Sequence, residues 1–162
     1  MKNFSCRQYG IMKKSISPYS YTINVSSDDR GVFVPMLNLV SDPKLPKNLS
    51  LKRVYYVYNY GRGVIRGFHL HKKEWKFFTV ASGAAKFVAL NPKNPKVVFT
   101  FTSSSRSPQL IVIPPGYANG WVSLEDNTIL LCGSTSSLQE SLRDDARLDP
   151  LAWGNVWEVK PR

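Results

Sequence analysis

The sequence predicts an all-β protein folded as one domain, a sandwich or barrel with a single short helical segment near its C-terminus. Three observations carry this reading. The chain has 162 residues, about the length of one domain and enough to bury one sizeable core. Its hydrophobic residues, 43% of the total, include 8 Tyr, 8 Phe and 4 Trp beside many Val and Ile, the side chains that pack well on a pleated surface. Short apolar runs recur roughly every 8 to 12 residues between turn-forming residues, the spacing of stacked or closed antiparallel sheets.

Taken in order, residues 1–27 alternate weakly at Tyr19, Tyr21, Ile23 and Val25 and end in Ser26-Ser27-Asp28-Asp29, a turn signal, so they form an N-terminal strand or arm. A second strand is expected over 30–40, closed by a loop marked by Pro43 and Pro46. Further strands follow over 51–59, 64–71, 75–82, 84–90, 96–102, 109–113, 119–124 and 127–132. Turns such as Ala81-Ser82-Gly83, Asn91–Pro95 and Glu125-Asp126-Asn127 join them, and Ser103–Ser107 reads as a hairpin loop. The body of the domain thus spans 28–135, and 136–162 is a C-terminal segment in which 137–147 invites a short helix. The doublet Asp144-Asp145 at its end suits a loop equally well.

A net charge of +11 attracts anions of any kind, from nucleic acid to a diphosphate. The basic residues lie singly or in pairs, as in Lys13-Lys14 and Lys72-Lys73, and never form the block typical of a nucleic-acid binder. No nucleic-acid partner is expected, therefore, and no membrane partner either, because no apolar run approaches the ~20 residues needed to span a bilayer. The opening MKNFSCRQYG has no apolar signal-peptide core, and Cys6 and Cys132 are far apart. The expectation is a cytoplasmic protein with two reduced, buried thiols.

The chemistry concentrates in Arg66-Gly67-Phe68-His69-Leu70-His71, which holds both histidines of the chain. On a strand, residues two apart share a face, so His69 and His71 line one wall while Phe68 and Leu70 face the other way. Gly67 permits a bulge that turns Arg66 toward the same cavity despite its opposite parity. Gly63, followed by His69-x-His71, matches the opening of the metal-binding cupin motif. Glu74 then comes too soon, and Asn119 stands where the last histidine ligand belongs. Two imidazoles, a misplaced carboxylate and an amide make a poor transition-metal set, and no metal is expected. Lys76, among apolar neighbours in Glu74-Trp75-Lys76-Phe77-Phe78, is either an edge lysine protecting a strand or a cation aimed into the cavity. Aimed inward, it meets the histidines and can stabilise an enolate oxyanion.

These residues resemble the dTDP-4-dehydrorhamnose 3,5-epimerase family and the related nucleotide-sugar 3,4-ketoisomerases, which have the cupin jelly-roll fold. Three stretches in order carry the resemblance: Asp29–Phe33, Arg66–His69 and Ile113–Trp121. It implies His69 as the base, Lys76 as the enolate-stabilising cation and Asp149, in Leu148-Asp149-Pro150, as the carboxylate that orients His69. It further implies Arg66 at the diphosphate, Arg30 and Phe33 at the nucleotide, and His71, Tyr117 and Asn119 at the substrate. No cofactor is implied, and a homodimer is. Two departures bear on the reaction. Cys132 and Leu138 occupy the positions of the family's acid tyrosine and of a second tyrosine, and Asn119 replaces a histidine. Loss of the acid phenol narrows the expectation to epimerisation at C3 of a nucleotide-linked 4-keto-6-deoxy sugar, in surface-polysaccharide assembly, with water, Tyr117 or another tyrosine as proton donor. The alternatives are a 3,4-ketoisomerase, a non-catalytic cupin that binds sugar nucleotide, and a metal-dependent oxygenase.

Overall fold

The structure, a computed structural model, describes residues 16–39 and 42–159. The N-terminal half of the expected arm, Cys6 included, lies outside the described residues. The strands are β1 Tyr19–Thr22, β2 Ser26–Asp28, β3 Gly31–Phe33, β4 Arg53–Asn59, β5 Ile65–Leu70, β6 Lys76–Ser82, β7 Ala84–Asn91, β8 Asn94–Ser104, β9 Gln109–Ile113, β10 Ala118–Ser123, β11 Thr128–Ser134 and β12 Ala146–Arg147. One helix, α1 Leu138–Asp144, precedes β12. Two five-stranded antiparallel sheets form, in the orders β1-β9-β6-β11-β4 and β12-β5-β10-β7-β8, and β2 and β3 make a separate hairpin. This is a cupin-like jelly-roll: the strand spacing predicts a sandwich or barrel, and the family resemblance implies the cupin form of it.

Alternation sorts each strand between two apolar environments. In β6, Phe78 and Val80 point between the sheets, where they meet Phe87, Ile111, Trp121 and Leu130. Phe77 points outward against Ile23, Leu45, Leu110 and Val112. In the other sheet Phe68, Val88, Leu90 and Val122 face outward and are covered by Trp157 of the C-terminal segment. Both outer faces are sealed by non-strand chain, which explains why several strands read as continuous apolar runs instead of clean alternation.

Two expectations change. Of the strand expected over 30–40, only Gly31–Phe33 pairs. Pro35 has no N–H for a ladder, and Met36, Leu37 and Leu39 instead pack on the outer face of the first sheet. The Ser103–Ser107 turn does not close a hairpin within one sheet. It carries the chain from β8 to β9, which belong to different sheets. The expected helix forms, started by Ser137, whose hydroxyl accepts from the Glu140 N–H while the Glu140 carboxylate accepts from the Ser137 N–H.

The bulge expected at Gly67 is present. Asn119 pairs with His69 and Trp121 with Arg66, so Gly67 and Phe68 together face Gly120 alone. Gly67 has φ +151°, and a Cβ built on it would stand 2.7 Å from the Gly120 Cα. On Gly120, a Cβ would stand 2.7 Å from the Arg66 carbonyl oxygen and 2.9 Å from Trp157 Cη2. This close approach lets Arg66 and His69 serve one cavity. Gly120→Ala is therefore expected to lower stability by about 1–3 kcal/mol, the usual cost of overpacking, and to disturb Arg66 as well. Thermal denaturation checks it, with Gly154→Ala, where a Cβ meets nothing within 4 Å, as a control for backbone strain alone.

Candidate active site

A cavity of about 700 Å³ opens between the sheets at one end. The second sheet contributes His69, Arg66 and Asn119 to its wall, the first contributes Tyr55, Lys76 and Cys132, and α1 and β12 bring Leu138, Leu142 and Arg147 to its mouth. Lys76 has the inward parity of Phe78 and Val80 on β6, a strand flanked by β9 and β11. It is an interior cation, then, and not an edge lysine.

The histidines share a carboxylate, and it is Asp145. His69 Nδ1 lies 3.0 and 3.2 Å from the two oxygens of Asp145, and His71 Nε2 lies 3.5 Å from one of them. Burial pushes the Asp145 carboxyl up, but the hydrogen bond and charge of His69, with Arg147 beside it, outweigh this and hold it below the usual range. A carboxylate on Nδ1 leaves Nε2 of His69 as the atom that can take a proton.

Asp149 does not fill this role. Its carboxylate accepts from the Leu151 N–H at 2.9 Å and closes a turn. The reason is register. Ala146 and Arg147 pair with Leu70 and His69, and the Leu148 backbone with Phe68, so the residue just before this ladder reaches the imidazole while Asp149 lies beyond it. The Asp144-Asp145 doublet at the helix end was visible in the sequence, but the pairing of β12 with β5 that brings Asp145 to the imidazole was not.

Lys76 Nζ lies 2.8 Å from His71 Nε2. Burial lowers the lysine's pKa, while Glu74 and Asp145 hold it up. Burial also lowers that of His71, followed by the charge of Lys76. His69, His71 and Asp145 bring donor atoms within 4.8 Å of one another. The set suits a metal poorly, because the Lys76 ammonium, 2.8 Å from His71 Nε2, would stand as a cation beside the ion.

Cys132, buried and pushed up to about 12 mainly by burial, is a thiol at neutral pH. Its Cα partner across the ladder is Tyr55, which also lines the cavity and whose phenol is raised mainly by burial. The sequence reading missed Tyr55. Its inward parity in Arg53-Val54-Tyr55 was available, but its pairing with Cys132 was not.

The other expected residues divide. Arg66 lines the cavity, its Nε donating to Asn59 Oδ1 at 2.6 Å. Asn119 lines it too, but its amide donates to the backbone carbonyls of His69 at 3.0 Å and Tyr117 at 3.3 Å, which fixes it as a brace for β5. Tyr117 is not on the cavity wall. Its ring packs edge-on against Phe99 and its hydroxyl reaches Ser17, because it precedes β10 at the other side of the strand turn. Arg30 and Phe33 also lie elsewhere, in the β2–β3 hairpin, with Arg30 paired to Asp28 and Phe33 two-thirds exposed.

The family model described as dTDP-4-dehydrorhamnose 3,5-epimerase matches residues 17–155. The chain belongs to this family. It is accordingly an isomerase of nucleotide-linked sugars, in a family whose structural neighbours include epimerases and 3,4-ketoisomerases. Among solved structures, it is similar to the dTDP-4-dehydrorhamnose 3,5-epimerase of Bacillus anthracis str. Ames with TDP and PPi bound (22% identity, 89% of this chain and 86% of that one, TM-score 0.75). A 3'-monoepimerase from Streptomyces bikiniensis in complex with dTDP-quinovose matches at 17% identity over 90% of this chain and 79% of that one, TM-score 0.73. A sugar 3,4-ketoisomerase from Thermoanaerobacterium thermosaccharolyticum in complex with TDP matches at 19% identity over 82% and 88%, TM-score 0.66. No curated protein matches the chain in sequence.

Asp145→Asn is expected to lower kcat by roughly 10²-fold or more, since the imidazole loses the acceptor that fixes its tautomer, whereas Asp149→Asn leaves kcat within a few-fold. Steady-state kinetics on both variants, after a check of folding, decides between the two carboxylates.

Proposed function

We propose that the protein removes the C3 proton of a nucleotide-linked 4-keto-6-deoxy sugar and returns it from the opposite face, inverting C3. The observation that carries this is the division of labour between the walls: His69 with Asp145 on one sheet, Lys76 and Tyr55 on the other. The 4-ketone acidifies the C3–H bond, His69 Nε2 takes the proton, and the Lys76 ammonium stabilises the oxyanion that develops on the former ketone. Asp145 stabilises the imidazolium without taking its proton. Tyr55 stands in for the phenol missing at residue 132 and protonates C3 from the far side. Arg66 at the mouth binds the diphosphate, and the net charge of +11 draws the anionic substrate in. The mechanism uses no cofactor. A nucleotide-linked substrate and the free thiol of Cys132 fit a cytoplasmic enzyme that supplies a sugar for surface polysaccharide.

A second reading, 3,4-ketoisomerisation, is favoured by one observation: His71 and Lys76 lie beside the His69–Asp145 pair, where a proton can pass between adjacent sugar oxygens. The same enediolate then takes its proton at C4. Incubation with nucleotide-linked 4-keto-6-deoxy sugars in deuterated water separates the two. Label at C3 of an inverted 4-keto product is the expected result, and label at C4 of a 3-keto product establishes the second reading. No exchange at either carbon overturns both. His69→Asn should abolish exchange while a nucleoside diphosphate still binds, and Tyr55→Phe should slow product formation by roughly 10²-fold.

We further propose a homodimer. The hairpin exposes Val32 and Phe33, and β4, an edge strand, exposes Val54 and Tyr56, so two copies have apolar surface and an open ladder to cover. Arg30 and Phe33 do not line their own chain's cavity, so their nucleotide role requires the partner's. Sedimentation at micromolar concentration is expected to give a dimer, and a monomer alone would return Arg30 and Phe33 to surface residues.

A further inference from the structure

Behind the cavity wall formed by Arg53 and His71 lies Glu74, the centre of a cluster of polar groups that the proposed epimerisation does not use. Glu74, with a fully buried side chain, accepts from Ser134 Oγ at 2.6 Å and pairs with Arg53 at 3.3 Å. Its other oxygen, Oε2, is 3.1 Å from His71 Nδ1, and neither atom has another hydrogen-bond partner among the described residues. The contact is out of line for a strong hydrogen bond, but two buried polar atoms with nothing else to satisfy them have only each other. On the far side of the ring, His71 Nε2 meets Lys76 Nζ at 2.8 Å.

We propose that His71 is a positioning residue and not an acid or base. Glu74, fixed by Arg53 and Ser134, keeps the imidazole proton on Nδ1, so that Nε2 accepts from Lys76 and aims the remaining ammonium protons into the cavity. This rests on the reading of Lys76 as the cation that stabilises the enolate.

The opposite tautomer fails at both ends. A proton on Nε2 would point at the ammonium donors 2.8 Å away, with Asp145 Oδ1 a more distant acceptor at 3.5 Å, while the bare Nδ1 would set its lone pair against a carboxylate oxygen at 3.1 Å. A neutral Lys76 amine would relieve the first conflict and leave the second. A doubly protonated ring would place a second cation against Lys76 in a buried site. The charged groups facing His71 are Lys76, Glu74, Asp145 and Asp144, and burial with the Lys76 charge lowers its pKa despite the three carboxylates. Those facing Lys76 are Glu74, Asp145, Cys132 and Arg53. With His71 neutral, the two cations Arg53 and Lys76 balance Glu74 and Asp145. A lysine stem is long and rotatable, so an ammonium that must meet a developing oxyanion gains from a fixed acceptor behind it.

The test compares His71→Gln with His71→Leu and adds Glu74→Gln, reading kcat, KM and the pH dependence of C3 proton exchange, together with nucleoside diphosphate binding. A glutamine carbonyl can accept from Lys76 where Nε2 did, so His71→Gln is expected to keep kcat within about tenfold of the parent. His71→Leu should lose roughly 10²–10³-fold, the usual effect of losing one oxyanion donor, with KM within a few-fold. If both variants fold, bind nucleotide and are equally inactive, His71 itself moves a proton and the proposal is overturned. Glu74 raises the Lys76 pKa, so its neutralisation lowers that pKa further and the ammonium is lost at a lower pH. The alkaline limb of the rate profile should shift toward acid in Glu74→Gln, and an unmoved limb in folded protein overturns the proposal. Nitrogen-15 NMR of the unsubstituted protein supplies a readout independent of turnover: His71 is expected as the Nδ1–H tautomer, and the Nε2–H tautomer overturns the proposal even if the variants do not fold. Absence of turnover by the parent enzyme would instead sink the functional reading and leave the NMR result standing.

Discussion

A carboxylate with no access to water constrains more of this molecule than any apolar contact does. Glu74 lies in the turn between β5 and β6, three residues after His71, and its side chain is fully enclosed. Taking an ion out of water costs several kcal/mol unless charges and donors repay it. Arg53, Ser134 and His71 are the repayment, and each comes from a different piece of chain: the start of β4, the end of β11 and the residue after β5. The carboxylate thereby pins three segments at one end of the barrel. The cavity can be polar there while remaining apolar along Phe78, Leu130 and Trp121.

Asp145 performs the equivalent task at the surface side of the same site. It touches His69 at 3.0 Å and His71 at 3.5 Å, and it arrives there because α1 ends one residue earlier and β12 pairs with β5 immediately after. Two carboxylates therefore bracket two imidazoles. Their environments differ: Glu74 is enclosed and tied to Arg53, while Asp145 is partly open and answers to Arg147. The difference suits the separate tasks proposed for the two rings, since His69 is partly open to solvent and His71 is buried.

Much of this was legible in the residues. Apart from the 30–40 run, the turn residues and apolar runs located the strands to within a few positions, and parity put His69 and His71 together, while Lys76 stayed open between an edge and a cavity position. Gly67 announced the bulge that admits Arg66. What failed depended on contacts between segments distant in sequence. Asp145 was passed over in favour of Asp149 because only the pairing of Arg147 with His69 shows which acidic residue reaches the ring. Tyr55 lies 77 positions before Cys132, and no local pattern reveals that the two are ladder partners. Asn119 looked like a ligand because it occupies a histidine's place, yet its donors go to the backbone.

The position of Tyr55 bears on how a phenol can be absent from one strand and still present in the cavity. Adjacent antiparallel strands set directly opposed residues on the same face with Cα atoms about 4.5 to 5.5 Å apart. A side chain as long as tyrosine on β4 can therefore deliver its hydroxyl into space that a β11 tyrosine would otherwise fill, provided residue 132 is small. Cysteine meets that condition, and its thiol, pushed up to about 12 mainly by burial, stays protonated at neutral pH. A tyrosine at 132 would compete with Tyr55 for the same volume, so the two positions are alternatives and not a pair. The small residue at 132 is then the condition for using Tyr55, and a cavity wall with one phenol serves one carbon of the sugar more readily than two.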